Sequence, residues 1–362
     1  MSGGFFPFRP GDRMLDIVLP GVDERTHKLS WSFQGQPLAL IALSELRQVT
    51  DGVTVELLTA LAEVDAHAVL VVPAGVPATV AALTGFEMPG TGGVPLTLCD
   101  PDRRTLHTLL APDAATGSPA SARHDQRVMV LDANQRLVAE FVGGEALARR
   151  EAVLAAVEVA RADRPAPSTV HGGAAPVLML PRVFEPAFCR ALIELWRRHD
   201  HVDGGVSSRY GNMVSNDHKR TEDHVVTDEA TVRQISDRLA YRIGPELERV
   251  FNWSTDFVFD AHVVLSYDAD GGHFFRPHRD NGAPQTADRA FAVSLNLNDD
   301  YAGGELTFPE FGPTLYRPRA GMAAVFSCSL LHEALPVTQG RRFVLTTFFR
   351  DRRKRPPSAA QR

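Results

Sequence analysis

The amino-acid sequence predicts two domains, an α/β unit at the N-terminus and an all-β unit with flanking helices at the C-terminus. The chain has 362 residues, which is too long for a single ordinary β core. Strand-like and helix-like segments alternate in the first half, whereas short strands separated by Gly and Pro turns fill the second. Residues 164–176 lie between the halves, are rich in Pro, Gly and Ala and predict a linker. We therefore expect domains at 1–163 and 177–352, with a basic tail at 353–362.

Apolar runs and helical periodicity define the elements of the N-terminal unit. Two mainly apolar runs have the length of buried strands, and the segment between them has the spacing of an amphipathic helix. A later pair of runs around a polar turn predicts a hairpin, and an alanine-rich segment predicts a helix before the linker. In chain order the elements are a strand at 38–43, a helix at 53–64, a strand at 67–73, a hairpin at 128–141 and a helix at 145–161.

The C-terminal unit begins with a helix and continues as strands. Residues 189–197 have an amphipathic pattern, so this helix should pack on the sheets. Residues 322–326 and 342–349 are apolar runs that predict buried strands. Short Gly- and Pro-containing turns separate the strands, a pattern typical of an antiparallel β-sandwich.

The most informative pattern is His278-Arg279-Asp280, followed by His332 and Arg342. Side chains two positions apart on a strand point to the same side, so His278 and Asp280 can bind one ion. His332 follows a predicted buried strand and can supply a third ligand. Two imidazoles and a carboxylate on one face of an octahedral ion leave three positions open. The set therefore predicts an Fe(II) site that takes 2-oxoglutarate and dioxygen.

Arg342 is the candidate partner of the co-substrate. Its planar guanidinium, at the start of the last apolar strand, can bind the distal carboxylate of 2-oxoglutarate bidentately in a water-poor pocket. A hydrogen bond to a charged group contributes roughly 1.5–3 kcal/mol, so its loss should weaken co-substrate binding by about one to two orders of magnitude.

Several short motifs follow one another within residues 178–350. In chain order they are Leu265-Ser266-Tyr267, His278-Arg279-Asp280, Leu297-Asn298, Gly303-Gly304-Glu305-Leu306-Thr307-Phe308, Pro318-Arg319-Ala320-Gly321, His332, Pro336-Val337 and Gly340-Arg341-Arg342-Phe343. In this order they resemble the prolyl 4-hydroxylase branch of the Fe(II)/2-oxoglutarate dioxygenases. The resemblance implies a double-stranded β-helix, also called a jelly roll or cupin-like fold.

The same resemblance implies an activity and roles for residues. It implies hydroxylation of an unactivated C–H bond in a peptidyl-proline or amino-acid-like substrate, with formation of succinate and CO2 and with ascorbate as a candidate reductant. His278, Asp280 and His332 would bind iron, Arg342 would bind the distal carboxylate, and Tyr267 would help to hold 2-oxoglutarate. A phenol can donate a hydrogen bond to a carboxylate, which fits Tyr267.

Other polar residues of this region depart from the pattern or lie outside it. Asn296 stands where many relatives have Tyr, and its amide is a candidate hydrogen-bond donor to the co-substrate. Asp280 argues against a halogenase, which has a small residue there. His262 and His273 are interpreted as packing or surface residues. Residues 218–224, with Arg209 and Tyr210, are either a solvated loop or part of a substrate lid.

Residues 8–160 resemble the peroxiredoxins, which have a thioredoxin-like fold. The resemblance rests on residues 10–20 and on the hairpin. A working peroxiredoxin needs a reactive cysteine in the helix after the first core strand, and residues 44–57 contain none. Cys99 is interpreted as a small, half-buried hydrophobic residue. We therefore expect a unit without peroxidase activity that serves as an interface or in substrate recruitment, with a homodimer through this unit as a candidate assembly.

Composition excludes several classes of partner. The net charge of −6 and the pI near 6.1 argue against nucleic acid as a partner. No stretch is long and apolar enough to span a membrane, and the N-terminus lacks the pattern of a signal sequence. Three cysteines without a Cys-x-x-Cys pair predict reduced thiols. We expect a cytoplasmic enzyme that acts on a small molecule or a peptide.

Two other functions stay open on the sequence alone. One is a thiol peroxidase in which the C-terminal unit is accessory. The other is a non-catalytic, cupin-like protein that binds metal or senses 2-oxoglutarate.

Overall fold

The structure is a computed structural model, and it divides into two compact units, Met1–Ser168 and Thr169–Arg362. Most of the predicted linker, most of the basic tail, and Arg209, Tyr210 and His218 lie outside the described residues. No helix in the described part of the chain is both long and apolar enough to cross a membrane. The described residues are 9–354 except 15, 34, 84–94, 112–123, 144, 164–172, 209–210, 215–218 and 254–255.

Strands and helices alternate through the N-terminal unit, as the apolar patterns predict. Its described elements are β1 (Val18–Pro20), β2 (Thr26–Lys28), α1 (Leu29–Ser32), β3 (Leu38–Leu43), α2 (Gly52–Glu63), β4 (His67–Val72), α3 (Val76–Leu83), β5 (Leu96–Cys99), α4 (Arg104–Leu109), β6 (Gln126–Leu131), β7 (Leu137–Val142) and α5 (Arg150–Ala162).

A five-stranded mixed sheet in the order β5-β4-β3-β6-β7 forms the centre of this unit. The strands β3, β4 and β5 are parallel, and β6 is antiparallel to β3 and to β7. Alternate residues of β3 enter different cores. Ile41 packs with residues of α2 and α5, whereas Leu40 packs with residues of α1 and α4. Burial on both faces explains why β3 is a continuous apolar run.

The predicted strands, hairpin and first helix agree with these bounds, but the helix predicted at 145–161 begins later, at Arg150. Turns precede it, because Ala146 N–H donates to Gly143 and Ala148 N–H donates to Glu145. These turns bury Ala146 in the core before the helix starts. Alanine content predicted a helix here without any signal for the preceding turns.

The C-terminal unit is mainly antiparallel β-structure with three helices among its described residues. Its elements are β8 (Leu178–Leu180), α6 (Pro186–Arg198), β9 (Val202–Asp203), β10 (Gly205–Ser208), β11 (Gly211–Val214), β12 (Lys219–Arg220), β13 (Glu222–Val225), α7 (Glu229–Arg242), α8 (Gly244–Phe251), β14 (Phe257–Phe259), β15 (Val263–Asp268), β16 (Phe274–His278), β17 (Arg289–Asn296), β18 (Tyr301–Gly303), β19 (Leu306–Thr307), β20 (Leu315–Tyr316), β21 (Ala323–Ser327), β22 (His332–Ala334) and β23 (Val337–Asp351).

Two antiparallel sheets share an inner apolar core in this unit. The larger sheet has the order β8-β21-β17-β23-β15-β13-β9, and β14 and β18 also pair with β23. The smaller sheet has the order β12-β16-β22-β19-β20. Alternation along β23 sends Leu345 outward to the helices and Val344 inward, where it joins Leu306 and Ala334 of the smaller sheet. This sandwich agrees with the jelly roll that the sequence predicts.

A partly buried ion pair joins α7 to the N-terminal end of α6. Arg242 of α7 donates to the carbonyl of Val183 at 2.6 Å and to Glu185 Oε1 at 2.7 Å. Arg238 Nε donates to the other oxygen of Glu185 at 2.8 Å. Burial raises the pKa of Glu185, but hydrogen bonds from the two guanidinium groups outweigh it and lower the pKa to about 2.

We predict that Glu185→Gln lowers the free energy of unfolding by roughly 1.5–3 kcal/mol at pH 7, because it replaces the charged acceptor of two guanidinium groups by a neutral amide. The folded-state pKa of Glu185 lies below its ordinary value of 4.5, so its stabilisation is full above pH 4.5 and is lost towards pH 2. The difference in unfolding free energy between wild type and variant should therefore become smaller in acid. Urea denaturation at neutral and acidic pH measures it. As a control, Glu194→Gln removes only the exposed pair with Arg197 and should change little.

Candidate metal centre

Two neighbouring strands of the smaller sheet bring the predicted metal ligands together. His278 ends β16, His332 begins β22, and the two are direct partners in the antiparallel ladder. Asp280 follows two residues after His278, and its N–H donates to the carbonyl of Cys328 at 3.0 Å. The ligand atoms of the three side chains all lie within 4.8 Å of one another. This spacing fits a single metal ion, and the donor set is the one that Fe(II) oxygenases use.

Backbone carbonyls set the orientation of both histidine rings. Nδ1 of His278 lies 2.7 Å from the carbonyl of Arg276, and Nδ1 of His332 lies 3.0 Å from that of Leu330. A carbonyl only accepts, so each Nδ1 carries the proton that it donates. Each Nε2 faces Asp280, at 3.4 and 3.5 Å from its oxygens. Metal-binding histidines have this outer hydrogen bond, which leaves Nε2 for the ion.

Burial and charge keep two of the ligands in the protonation state that a metal needs. Burial raises the pKa of Asp280, but the neighbouring His332 and His278 outweigh this effect and hold it below its usual value. Burial lowers the pKa of His332, and the opposing effect of Asp280 is smaller. At neutral pH Asp280 is therefore a carboxylate and His332 a neutral imidazole.

Aromatic side chains cover the histidines. Phe275 stacks on His278 with ring centroids 3.5 Å apart and planes at 15°. Phe326 meets His332 edge-on with centroids 4.6 Å apart. These contacts restrict rotation of the rings and keep water from their apolar sides.

The triad opens on a cavity of about 580 Å³ between the two sheets. Inward-facing residues such as Leu265, Val344 and Phe348 form most of its wall, and Tyr267 and Arg342 are among its polar residues. A concave, mainly apolar pocket with a few convergent polar groups is typical of a small-molecule site.

Arg342 is held at a fixed place in this cavity. Only 1% of its surface is exposed, and its Nε and Nη2 donate to Asn296 Oδ1 at 3.1 and 2.9 Å. Nη2 also lies 3.3 Å from Ser294 Oγ. In the described part of the chain, no partner is found for its Nη1. This orientation leaves an N–H group of a fixed guanidinium for an incoming carboxylate.

Asn296 lies behind Arg342 and does not line the cavity. Its Nδ2 donates to Tyr301 Oη at 2.5 Å and to the carbonyl of Pro318 at 2.6 Å, while its Oδ1 accepts from Arg342. Both hydrogens of the amide are thus engaged. The expected direct hydrogen bond from Asn296 to the co-substrate has no free donor, and the residue positions Arg342 instead.

Tyr267 pairs directly with Arg342 between β15 and β23, so both side chains point to the inner face. The guanidinium carbon of Arg342 lies 5.3 Å from the centroid of the Tyr267 ring. Burial raises the pKa of Tyr267, and the opposing effect of Arg342 is smaller. The phenol is therefore protonated at neutral pH and can donate a hydrogen bond.

Two ion pairs in the cavity wall have no assigned role in the sequence prediction. Lys219 Nζ lies 2.6 Å from Asp223 Oδ2, and Arg289 Nη2 lies 2.7 Å from Asp260 Oδ2. Lys219 and Asp223 come from the stretch that the sequence describes as a loop or lid. They lie in the short strands β12 and β13, and both side chains are buried. In the sequence, the alternation of side chains along residues 222–225 is the one pattern that could have predicted that Asp223 points inward.

His224, His262 and His273 do not line the cavity. His262 Nε2 contacts Ser236 Oγ at 2.8 Å, and burial lowers the pKa of His262 to about 4. His273 is buried against the strand that carries Tyr267. His224 contacts the carbonyl of Asp200 at 3.2 Å. The interpretation of His262 and His273 as packing residues agrees with these contacts.

Part of the C-terminal unit is similar in sequence to 2OG-Fe(II) oxygenases. Residues 262–350 match the 2OG-Fe(II) oxygenase superfamily. Mouse procollagen-lysine,2-oxoglutarate 5-dioxygenase 1 is 28% identical over 178 residues, which are 46% of this chain and 23% of that protein. A PKHD-type hydroxylase of Maricaulis maris is 35% identical over 100 residues, which are 26% of this chain and 45% of that protein. The chain thus spans about a quarter of the length of the first relative.

Among solved structures, a prolyl hydroxylase from Trichoplax adhaerens, in complex with a hypoxia inducible factor peptide, aligns with a TM-score of 0.43. It is 18% identical, and the alignment covers 51% of this chain and 87% of that one.

We predict that Asn296→Ala weakens 2-oxoglutarate binding about tenfold, because it removes the acceptor that orients Arg342. Fe(II) affinity should not change, since Asn296 does not touch the triad. Anaerobic titration of the Fe(II)-loaded protein with 2-oxoglutarate, followed by its visible charge-transfer band, measures the effect. Arg342→Gln serves as the comparison, and it should lose more 2-oxoglutarate affinity than Asn296→Ala. Wild-type affinity in Asn296→Ala would contradict the positioning role.

Proposed function

We propose that this protein is an Fe(II)- and 2-oxoglutarate-dependent dioxygenase that hydroxylates an unactivated C–H bond. The observation that carries the proposal is the meeting of His278, Asp280 and His332 in the cavity that also contains Arg342. Such a triad leaves three positions of an octahedral ion open, enough for a bidentate keto acid and dioxygen. Arg342 is the buried cation that a dicarboxylate needs at its far end.

Bound iron supplies the oxidative chemistry, in which 2-oxoglutarate and dioxygen become succinate and CO2 as the substrate is hydroxylated. The residues of the chain bind, orient and exclude water. Arg342 and the protonated Tyr267 donate to the distal carboxylate and so fix the angle at which the keto acid lies. Phe275 and Phe326 fix the ligand rings and keep that side of the site apolar.

We propose an aminoacyl substrate, either a residue of a peptide or an amino-acid-like molecule, with ascorbate as reductant. The names of the relatives, which include prolyl and procollagen-lysine hydroxylation, support this class. Lys219 is paired with Asp223 and Arg289 with Asp260, so the wall adds no unbalanced charge from these residues.

We predict that the full-length protein gives a visible charge-transfer band with Fe(II) and 2-oxoglutarate without oxygen, and releases succinate when oxygen is admitted. His278→Ala should lose both signals, because the triad then lacks a ligand. His224→Ala, which removes a histidine outside the cavity, should keep both. Absence of the band in wild type, or its survival in His278→Ala, would overturn the metal assignment. If the charge-transfer band forms but no candidate substrate leads to succinate release, the non-catalytic sensor is favoured.

For the N-terminal unit, we infer a thioredoxin-like domain that does not reduce peroxide and serves as an interface, with dimerisation or substrate recruitment as its use. The βαβ order of β3, α2 and β4, followed by the β6–β7 hairpin and α5, supports this fold. Cys99 is fully buried at the end of β5, with Sγ 3.5 Å from Thr79 Oγ1, and burial raises the pKa of its thiol. A buried, protonated thiol is a poor nucleophile. Three free, buried cysteines also support a reducing compartment, the cytoplasm.

We predict that the wild type and Cys99→Ser show the same background rate of hydrogen peroxide turnover with a thiol reductant. The thiol of Cys99 is neither accessible nor ionised at neutral pH, so serine should replace it without loss. Peroxide turnover that disappears in Cys99→Ser would revive the thiol peroxidase alternative. An assay of peroxide consumption decides between these outcomes.

A further inference from the structure

A carboxylate on the outer side of the metal centre contacts both segments that carry the ligands. Glu310 Oε1 accepts from Arg279 Nη2 at 2.7 Å, and its Oε2 accepts from Arg279 Nη1 at 3.2 Å. Arg279 is the middle residue of the His-x-Asp motif. Glu310 Oε2 also accepts the N–H of Leu331 at 3.2 Å, and Leu331 directly precedes His332. One side chain is therefore bonded to the sequence neighbours of all three ligands.

The backbone ladder pairs His278 with His332, but its pairing is short and irregular on one side of this pair, and Asp280 lies beyond it. The β16–β22 ladder has two paired positions with a register shift between them. Beyond the ladder, Arg279 Nη1 donates to the carbonyl of Ser329, and Asn281 Nδ2 donates to Ser329 Oγ at 2.7 Å. Glu310 adds contacts that join Arg279 to the amide next to His332.

Glu310 lies close in sequence to a buried aromatic residue. It lies in the short 3-10 turn Pro309–Phe311, directly after Phe308. Phe308 is buried, its ring packs against Phe326 with centroids 4.9 Å apart, and Phe326 contacts His332. The exposed turn that carries Glu310 therefore starts directly beside the inner core, and the Glu310 side chain reaches Arg279 from there.

We propose that Glu310 is a positioning residue of the metal centre, an inference that rests on the proposed function. It acts through Arg279 and the Leu331 amide to hold His278 and Asp280 at the correct separation from His332. The Arg279 and Glu310 side chains are 42% and 41% exposed, and such exposed pairs contribute little to global stability. Loss of Glu310 should therefore affect metal binding more than folding. Outer partners of metal ligands typically change metal affinity 10–100-fold, and we expect about tenfold for this exposed one.

The test compares Glu310→Gln with Glu305→Gln, both in the 362-residue chain. Glu305→Gln removes another partly exposed carboxylate from its pair with Arg317. Each protein is titrated anaerobically with Co(II) alone, whose visible absorption reports coordination geometry. Glu310→Gln should bind Co(II) about tenfold more weakly and with an altered spectrum. Glu305→Gln should match wild type, and the thermal unfolding midpoint of all three metal-free proteins should agree.

A double variant tests whether Glu310 acts through Arg279. If it does, Arg279→Gln combined with Glu310→Gln should lose less Co(II) affinity than the sum of the two single losses. Wild-type affinity and spectrum in Glu310→Gln would overturn the inference. A weaker affinity accompanied by an equal fall in metal-free stability would also overturn it, because the role would then be structural. Failure of the wild type to bind Co(II) would instead count against the proposed function.

Discussion

The geometry of the candidate metal centre depends on the antiparallel pairing of β16 with β22. It places His278 opposite His332, and Asp280 follows in the turn directly after β16, so this pair of short strands and the adjoining turn bring three ligands together. Local hydrogen bonds then refine the site, because each Nδ1 is held by a carbonyl two residues earlier in its own chain segment. Coarse placement comes from the sheet, and ring orientation comes from the backbone beside each histidine.

The co-substrate end of the cavity depends on the larger sheet in a similar way. Pairing of β15 with β23 puts Tyr267 beside Arg342, and β17 supplies the acceptors that hold the guanidinium. Arg342 is nearly fully buried, so its charge is available only in a low-dielectric pocket, where an attraction to a carboxylate is stronger than in water. The two sheets thus have separate roles. The smaller sheet carries His278 and His332, and the larger sheet carries the guanidinium of Arg342.

Local patterns in the sequence predicted those features that depend on residues close together in the chain. The run at β3 is apolar because both of its faces are buried. His278 and Asp280 come together as predicted, but β16 ends at His278 and Asp280 lies in the following turn, so strand alternation does not place them. The role of Asn296 could not be predicted, since it depends on Tyr301 and Pro318, which reach it only after folding. Lys219 lies in a strand of two residues, too short to give any periodic signal. Glu310 sits in a turn, and its importance follows from contacts with two other segments.

The strand β23 is fifteen residues long and pairs with β14, β15, β17 and β18. Its side chains alternate between the helix-facing core and the cavity, so its register with four partners is fixed at once. Insertion or deletion of one residue within it would exchange the two faces over part of the strand and turn apolar residues towards the cavity. Changes of length in this chain can therefore accumulate in the connecting segments, but not in β23. Variation of this strand is confined to substitutions that keep its two faces distinct.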